Sequence, residues 1–266
     1  MNFVLPKERK KPLEINASKL LIMSVGKMGK TTILSQLKGA LIFDLEGGSN
    51  YAHSGAFVDI DKETRLYNES EEGKKTPMTK FAVLSEYIKL LKAREVKYPY
   101  IAIDPITALE DICMPLAVAL YRNTPMGAKF KGDDVRTLPN GAGWLYIRQA
   151  FQRIYKSIAA LTDHIVLIGH IKDKVINKRG EEVTVKDLDL SGKLARIVAQ
   201  DMDAIGILYA RKNERYISFK KEDTDLDYDS ITEGRVEHLS GQDFLISRKK
   251  EDGTVETFWD KIFINV

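Results

Sequence analysis

The chain has 266 residues, 44% of them hydrophobic and 30% charged, with a formal net charge of +3. That balance fits one large α/β domain or a domain with an extension, and it permits a local nucleic-acid-binding patch without demanding one. A single cysteine, Cys113, excludes an intramolecular disulfide framework and fits a reducing, cytoplasmic compartment.

Residues 1 to about 16 read as a polar arm. Its basic stretch Lys7-Glu8-Arg9-Lys10-Lys11 leads into Pro12 and polar residues, not an apolar h-region, so no secretory leader is expected. No apolar run approaches membrane-spanning length, so no membrane partner is expected either.

The first apolar run, Leu20-Leu21-Ile22-Met23, passes directly into Ser24-Val25-Gly26-Lys27-Met28-Gly29-Lys30-Thr31-Thr32. A strand, a glycine-bearing turn and Gly-Lys-Thr at the start of a helix make a phosphate-binding P-loop. Backbone N–H groups of the turn cradle phosphates, Lys30 sets a point charge on them, and the Thr31 hydroxyl is placed to ligate Mg²⁺. The usual pattern is G-x-x-x-x-G-K-S/T, and Ser24 stands where the first glycine belongs. Serine is small and Gly26 can supply a positive φ, so the variant is tolerated.

A second apolar run, Leu41-Ile42-Phe43, is followed by Asp44-Leu45-Glu46-Gly47-Gly48. Glu46 lies just past the strand tip, where a carboxylate can polarise the water that attacks a γ-phosphate; a solvated turn carboxylate is the alternative. Phe81, Leu84, Ile88 and Leu91 recur at helical spacing. The run Tyr100-Ile101-Ala102-Ile103 ends at Asp104, the apolar-strand-then-Asp form of a Walker B, which would hold Mg²⁺ beside the P-loop; before Pro105, Asp104 is also a fair helix N-cap. Pro105 occupies the position where many P-loop ATPases carry a catalytic Glu.

Residues 122–143 and 172–192 read as long loops that interrupt the core, and loops of that length are usually functional or disordered. Between them Trp144, Ile147, Phe151, Ile154, Tyr155 and Ile158 mark a helix, and Ile165-Val166-Leu167-Ile168 a strand that leads through Gly169 to His170. His170 at a strand end can sense a γ-phosphate or position water, or it can be structural. After the run Ile205–Tyr209, the segments Tyr216–Phe219, Phe244–Ser247 and Phe258–Val266 read as short strands around an Asp252-Gly253 hairpin turn.

Two tempting motifs fail. Asp223, Asp225, Asp227 and Asp229 resemble a Ca²⁺ loop, but Tyr228 and Gly234 occupy the required Gly and Glu positions. Asn177-Lys178-Arg179-Gly180 lacks the final Asp of a guanine-reading Asn-Lys-x-Asp. The alternation of apolar runs and helical patterns predicts an α/β fold with a mainly parallel central sheet flanked by helices. The expected organisation is an arm over 1–16, a core over 17–222 and a C-terminal β-rich extension over 223–266.

The order of these parts resembles the RecA-like ATPase core, most of all the compact phage-encoded RecA-core ATPases linked to single-strand annealing and recombination. Lys27-Met28-Gly29-Lys30-Thr31 is similar to the latter half of their P-loops. Phe43-Asp44-Leu45-Glu46-Gly47-Gly48 is similar to their Asp-x-Glu-Gly-Gly segment, whose Glu is catalytic, and Ile103-Asp104-Pro105-Ile106-Thr107-Ala108-Leu109 to their Asp-Ser-Ile-x-x-Leu, with Pro105 for Ser. The resemblance covers about residues 17–222. It implies a RecA-like P-loop NTPase that uses ATP and Mg²⁺ on single-stranded DNA in recombination, annealing or replication, in the host cytoplasm if the chain is phage-encoded. It implies a homo-oligomer with nucleotide at the subunit interface, where Lys220, Lys221, Arg211 or Lys193 of a neighbour would complete the site. The two long loops would face DNA, through Lys172, Lys174, Lys178 and Arg179. The alternatives are an assembly or loader module that binds ATP with little hydrolysis, and a small-molecule kinase, for which the 172–192 segment lacks clustered arginines.

Overall fold

The computed structural model describes residues 14–52, 54–64, 67–69, 75–178, 181–220 and 235–265. The chain order is β1 (Lys19–Ser24), α1 (Lys30–Leu34), β2 (Ala40–Asp44), β3 (Ala56–Asp59), α2 (Ile60–Glu63), β4 (Tyr67–Glu69), β5 (Lys75–Pro77), α3 (Lys80–Lys92), β6 (Tyr98–Asp104), α4 (Leu109–Ile112), α5 (Met114–Arg122) and α6 (Gly143–Ala159), then β7 (Thr162–Lys178), β8 (Glu181–Leu188), α7 (Leu194–Asp201), β9 (Ala204–Arg211), β10 (Glu214–Ser218), β11 (Asp243–Lys249) and β12 (Val255–Thr257).

The strands of the main sheet run in the order β12-β11-β10-β9-β1-β7-β6-β2-β3. From β9 to β3 every neighbour is parallel; β10, β11 and β12 continue the sheet antiparallel. The β-rich extension is therefore the antiparallel margin of the same sheet.

Burial on both faces explains the near-continuous apolar strands. In β1, Leu21 and Met23 join one core with α3, α5, α6 and α7, while Leu20 and Ile22 join a second core with α1 and the C-terminal Trp259 and Phe263. The C-terminal expectation fails in part: residues 258–265 form no strand. Trp259–Lys261 form a 3₁₀ turn, because the Trp259 indole N–H donates to Ile33 O (2.8 Å) and the ring packs beneath α1.

The segment between α5 and α6 is an ordered loop with two 3₁₀ turns. Arg122 donates to Phe130 O and Gly132 O (both 3.0 Å), Tyr121 packs edge-on against Phe130, and Gly143 passes so close to Val135 O that a Cβ there would lie 1.8 Å away. The segment after His170 is not a loop. β7 runs on to Lys178 and β8 returns beside it, from Glu181↔Lys178 to Leu188↔Ile171. The physical reason lies in Val175, Ile176, Val183, Thr184 and Val185: β-branched residues favour paired strands.

Candidate nucleotide-binding site

The site forms where β1, β2 and β6 end beside His170 of β7, with Ser24 in register with His170, and Asp44 with Asp104. Ligands bind at the carboxyl ends of parallel strands in such sheets. A cavity of about 420 Å³ opens there, lined by the loop Lys27–Thr32 together with Asp44, Glu46, Asp104 and His170.

Ser24 is fully buried and donates to Val25 O (2.9 Å). The loop takes its left-handed turns at Lys27 (φ 62) and Gly29 (φ 82). Gly26, the residue expected to supply the positive φ, does not, and a Cβ there would meet open space. The helix that follows is only five residues long. A macrodipole that short is weak, so the loop amides and Lys30 are the groups placed to hold a phosphate.

Lys30 is 7% exposed, with Nζ 3.1 Å from Val25 O and 3.4 Å from His170 Nδ1. Burial lowers its pKa, and the nearby carboxylates of Asp104 and Glu46 partly restore it. Thr31 Oγ1 donates to Asp104 Oδ2 (2.6 Å). Burial pushes the Asp104 carboxyl up; the Thr31 bond opposes it, Asp44 adds to it, and Lys30 and His170 oppose it. The Asp104–Pro105 bond is cis.

Residues Thr31 and Asp104 are what a Mg²⁺ site in a P-loop needs. Among the described residues no group of three His, Cys, Asp or Glu could hold a metal by itself. Mg²⁺ takes one or two protein ligands and completes its octahedron with phosphate oxygens and water, so a hydroxyl–carboxylate pair facing a phosphate-binding loop fits it. Bound there, Mg²⁺ would neutralise charge on the phosphates. The pair predicts an asymmetric variant. Asp104→Asn keeps an acceptor for Thr31 and removes a buried charge, so the nucleotide-free unfolding midpoint should not fall (roughly 2–4 °C corresponds to 1 kcal/mol). Mg²⁺-dependent nucleotide affinity should drop at least about tenfold, roughly 1.4 kcal/mol. Calorimetric titration with and without Mg²⁺ checks both halves.

Asp44 is the organiser that sequence reasoning passed over. Its Oδ1 accepts from the backbone N–H groups of Glu46 (3.2 Å), Gly47 (2.8 Å) and Gly48 (3.1 Å), and its Oδ2 from Ser49 (2.7 Å). The turn needs Gly47 at φ 78, and Gly48 passes so near Thr31 that a Cβ would sit 3.1 Å from Oγ1. The signal was legible: a strand-end Asp with Gly47, Gly48 and Ser49 three to five residues on suits a side chain wrapped by backbone amides. The turn presents Glu46, half-exposed, with Oε2 3.5 Å from His170 Nε2. Tyr51 stands at the cavity mouth, 89% exposed.

The structure brings Ser24–Thr32, Glu46, Asp104 and His170 together. Of the residues expected from a neighbour, Lys220, Arg211 and Lys193 do not line the cavity of their own subunit. Lys220 pairs with Asp243, Arg211 lies over the rings of Tyr209 (5.1 Å) and Tyr216 (5.6 Å), and Lys193 begins α7. Lys221 and Arg179 lie outside the described residues, as do the side chains of Lys174 and Lys178. Lys172 is engaged, donating to Leu190 O (2.8 Å) and facing Asp189 (3.3 Å). His164 and His238 bond to Ala17 O and Ile262 O and are structural; His53 lies outside the described residues. Arg215, unremarked in the sequence, reaches the P-loop: its Nε donates to Met28 O at 2.6 Å. No described helix is long and apolar enough to cross a membrane.

No curated protein matches the chain. A KaiC-like protein from the hyperthermophilic archaeon Pyrococcus horikoshii OT3 superposes with a TM-score of 0.43 at 11% identity, over 91% of this chain and 89% of that one. Residues 16–225 match a family described as an AAA domain. That span holds β1 to β10 and every residue of the cavity just described, and the chain belongs to the AAA domain family of P-loop ATPases.

Proposed function

We propose that the chain is a Mg²⁺-dependent ATPase that acts on single-stranded DNA in recombination, annealing or replication of the phage type, as a homo-oligomer. The observation that carries the ATPase part is one constellation: a desolvated Lys30, the Thr31–Asp104 pair, and Glu46 with His170 across the same cavity. Loop amides and Lys30 bind the phosphates, Thr31 and Asp104 hold Mg²⁺, Glu46 accepts a proton from the attacking water, and His170 reports the γ-phosphate to β7.

Support for the DNA part comes from elsewhere than the lysines the sequence suggested. In the ribbon, Lys172 is already engaged by Asp189 (3.3 Å) and Leu190 O (2.8 Å). A second cavity, about 480 Å³, lies between the starts of α6 and α7 and is lined by Trp144, Tyr146, Arg148 and Lys193. Two aromatic faces beside two cations suit stacked bases and phosphates. Single-stranded DNA binding in the ATP state should therefore weaken steeply with salt, and Arg148→Ala and Lys193→Ala should each flatten the slope of log K against log salt by about 0.7. Salt-insensitive binding, or unchanged slopes, would remove DNA from this surface.

A second reading, a nucleotide-gated loader with little turnover, is favoured by Pro105 at the position after Asp104. Phosphate release measured against oligomer size, with and without single-stranded DNA, separates the two: DNA-stimulated release excludes the loader.

A further inference from the structure

The phosphate-binding loop is held from behind. Residues 25–29 bulge from the end of β1, with Val25 48% exposed and left-handed backbone at Lys27 and Gly29. Ser24 and Lys30 donate to Val25 O within the loop's own neighbourhood. Among the described residues, the one side chain from elsewhere that bonds to this stretch is Arg215, through Nε to Met28 O. Arg215 lies at the start of β10, two strands from β1, so it reaches past β9. Its neighbour Tyr216 is stacked on Tyr209 of β9 (5.5 Å between ring centres). The guanidinium lies flat against Gly29: a Cβ there would be 2.8 Å from Nε and 3.0 Å from Cζ. Glycine is thus required at position 29 twice, for φ and for the arginine. The terminal nitrogens of Arg215 take no hydrogen bond among the described residues, and Arg215 does not line the cavity.

We propose that Arg215 is a positioning residue for the phosphates of a nucleoside di- or triphosphate, acting through the Met28–Gly29 peptide. The inference rests on reading the cavity as the ATP site. A trans peptide is planar, with C=O and N–H pointing in opposite directions. Arg215 holds the carbonyl on the outer side, so the Gly29 N–H is aimed away from it, into the cavity. The bond comes from a cation, which makes it stronger than a neutral one and polarises the peptide, so the N–H on the far side is a better phosphate donor. An exposed loop with two left-handed residues has other orientations to sample, and fixing one before the ligand arrives improves affinity by preorganisation. The contact comes from the same subunit, in contrast to the neighbour-supplied cations the sequence led us to expect.

The test compares Arg215→Met, which keeps the stem over Gly29 and removes donor and charge, with Arg215→Lys, which returns a cationic donor. Binding of MgADP and MgATP is titrated calorimetrically, kcat and KM are measured for hydrolysis, and the unfolding midpoint without nucleotide controls for folding. Arg215→Met should bind both nucleotides about tenfold more weakly, in line with the loss of one charge-assisted hydrogen bond. KM should rise by a similar factor, kcat should stay within about threefold, the midpoint should stay within roughly 3 °C, and Arg215→Lys should recover most of the loss. Wild-type affinity in Arg215→Met, a loss confined to ATP, or no recovery in Arg215→Lys overturns the proposal. Should Arg215→Met not fold, Arg215→Leu, which also removes donor and charge, takes its place, and wild-type affinity in it is equally decisive. Failure of the wild-type protein to bind either nucleotide is a separate result: it removes the ATP-site reading, and this proposal with it.

Discussion

Lys30→Ala should lower MgATP affinity by at least about a hundredfold, roughly 2.7 kcal/mol, while the chain still folds. Lys30 is 7% exposed, yet among the described residues its ammonium forms no ion pair; its neighbours are a neutral carbonyl at 3.1 Å and an imidazole nitrogen at 3.4 Å. Burial without a partner is costly for a cation, which is why its pKa is lowered. The carboxylates of Asp104 and Glu46 offset part of that cost, and a bound anion would offset more. Removing the side chain therefore removes a strained charge from the empty protein and a phosphate contact from the complex. The nucleotide-free unfolding midpoint should hold or rise, and calorimetric binding should fall to the limit of detection. Lys30→Arg should not rescue binding, because a planar guanidinium cannot occupy the space between Val25 and His170 that a compact ammonium fills. Affinity within about tenfold of wild type in Lys30→Ala, only some 1.4 kcal/mol, would place the phosphates elsewhere.

What could be read from the residues was what local chemistry determines. Buried parallel strands have almost no freedom of composition, so β1, β2, β6, β7 and β9 announced themselves as apolar runs, and the polar residues at their ends marked the cavity. The P-loop was legible because its function fixes its spacing, although its positive φ fell on Lys27 and Gly29 and not on Gly26. The ribbon after His170 was obscured by its lysines, which weighed toward a loop even though β-branched residues cluster at Val175-Ile176 and Val183-Thr184-Val185. The ending was obscured by tertiary override: Trp259 turns away from a strand to bond with Ile33, 226 residues earlier. Arg215 was illegible in principle. Nothing within its own strand distinguishes it from Arg211 or Arg248; only the adjacency of β10, β9 and β1 carries it to the P-loop.

Glu46→Gln should leave nucleotide binding within about threefold and reduce kcat by some 10²- to 10³-fold, the range a general base supplies. Three carboxylates line the cavity, and two are committed. Asp44 spends both oxygens on four backbone N–H groups, and losing it would unmake the turn that carries Glu46. Asp104 is buried and bonded to Thr31 at 2.6 Å. The position after Asp104 is a proline and offers no carboxylate. Glu46 remains, half-exposed where water can reach it, its backbone fixed through the N–H of Glu46 to Asp44 and of Leu45 to Asp104 O (2.9 Å). Glutamine keeps the shape and an acceptor toward His170, so the ground state changes little; it cannot take a proton, so the chemical step does. Equal losses in kcat and kcat/KM would mark an interaction made only in the transition state. Wild-type turnover in Glu46→Gln would sink the assignment, and by elimination it would leave the base to come from a neighbouring subunit, which turnover measured against oligomer size would then reveal.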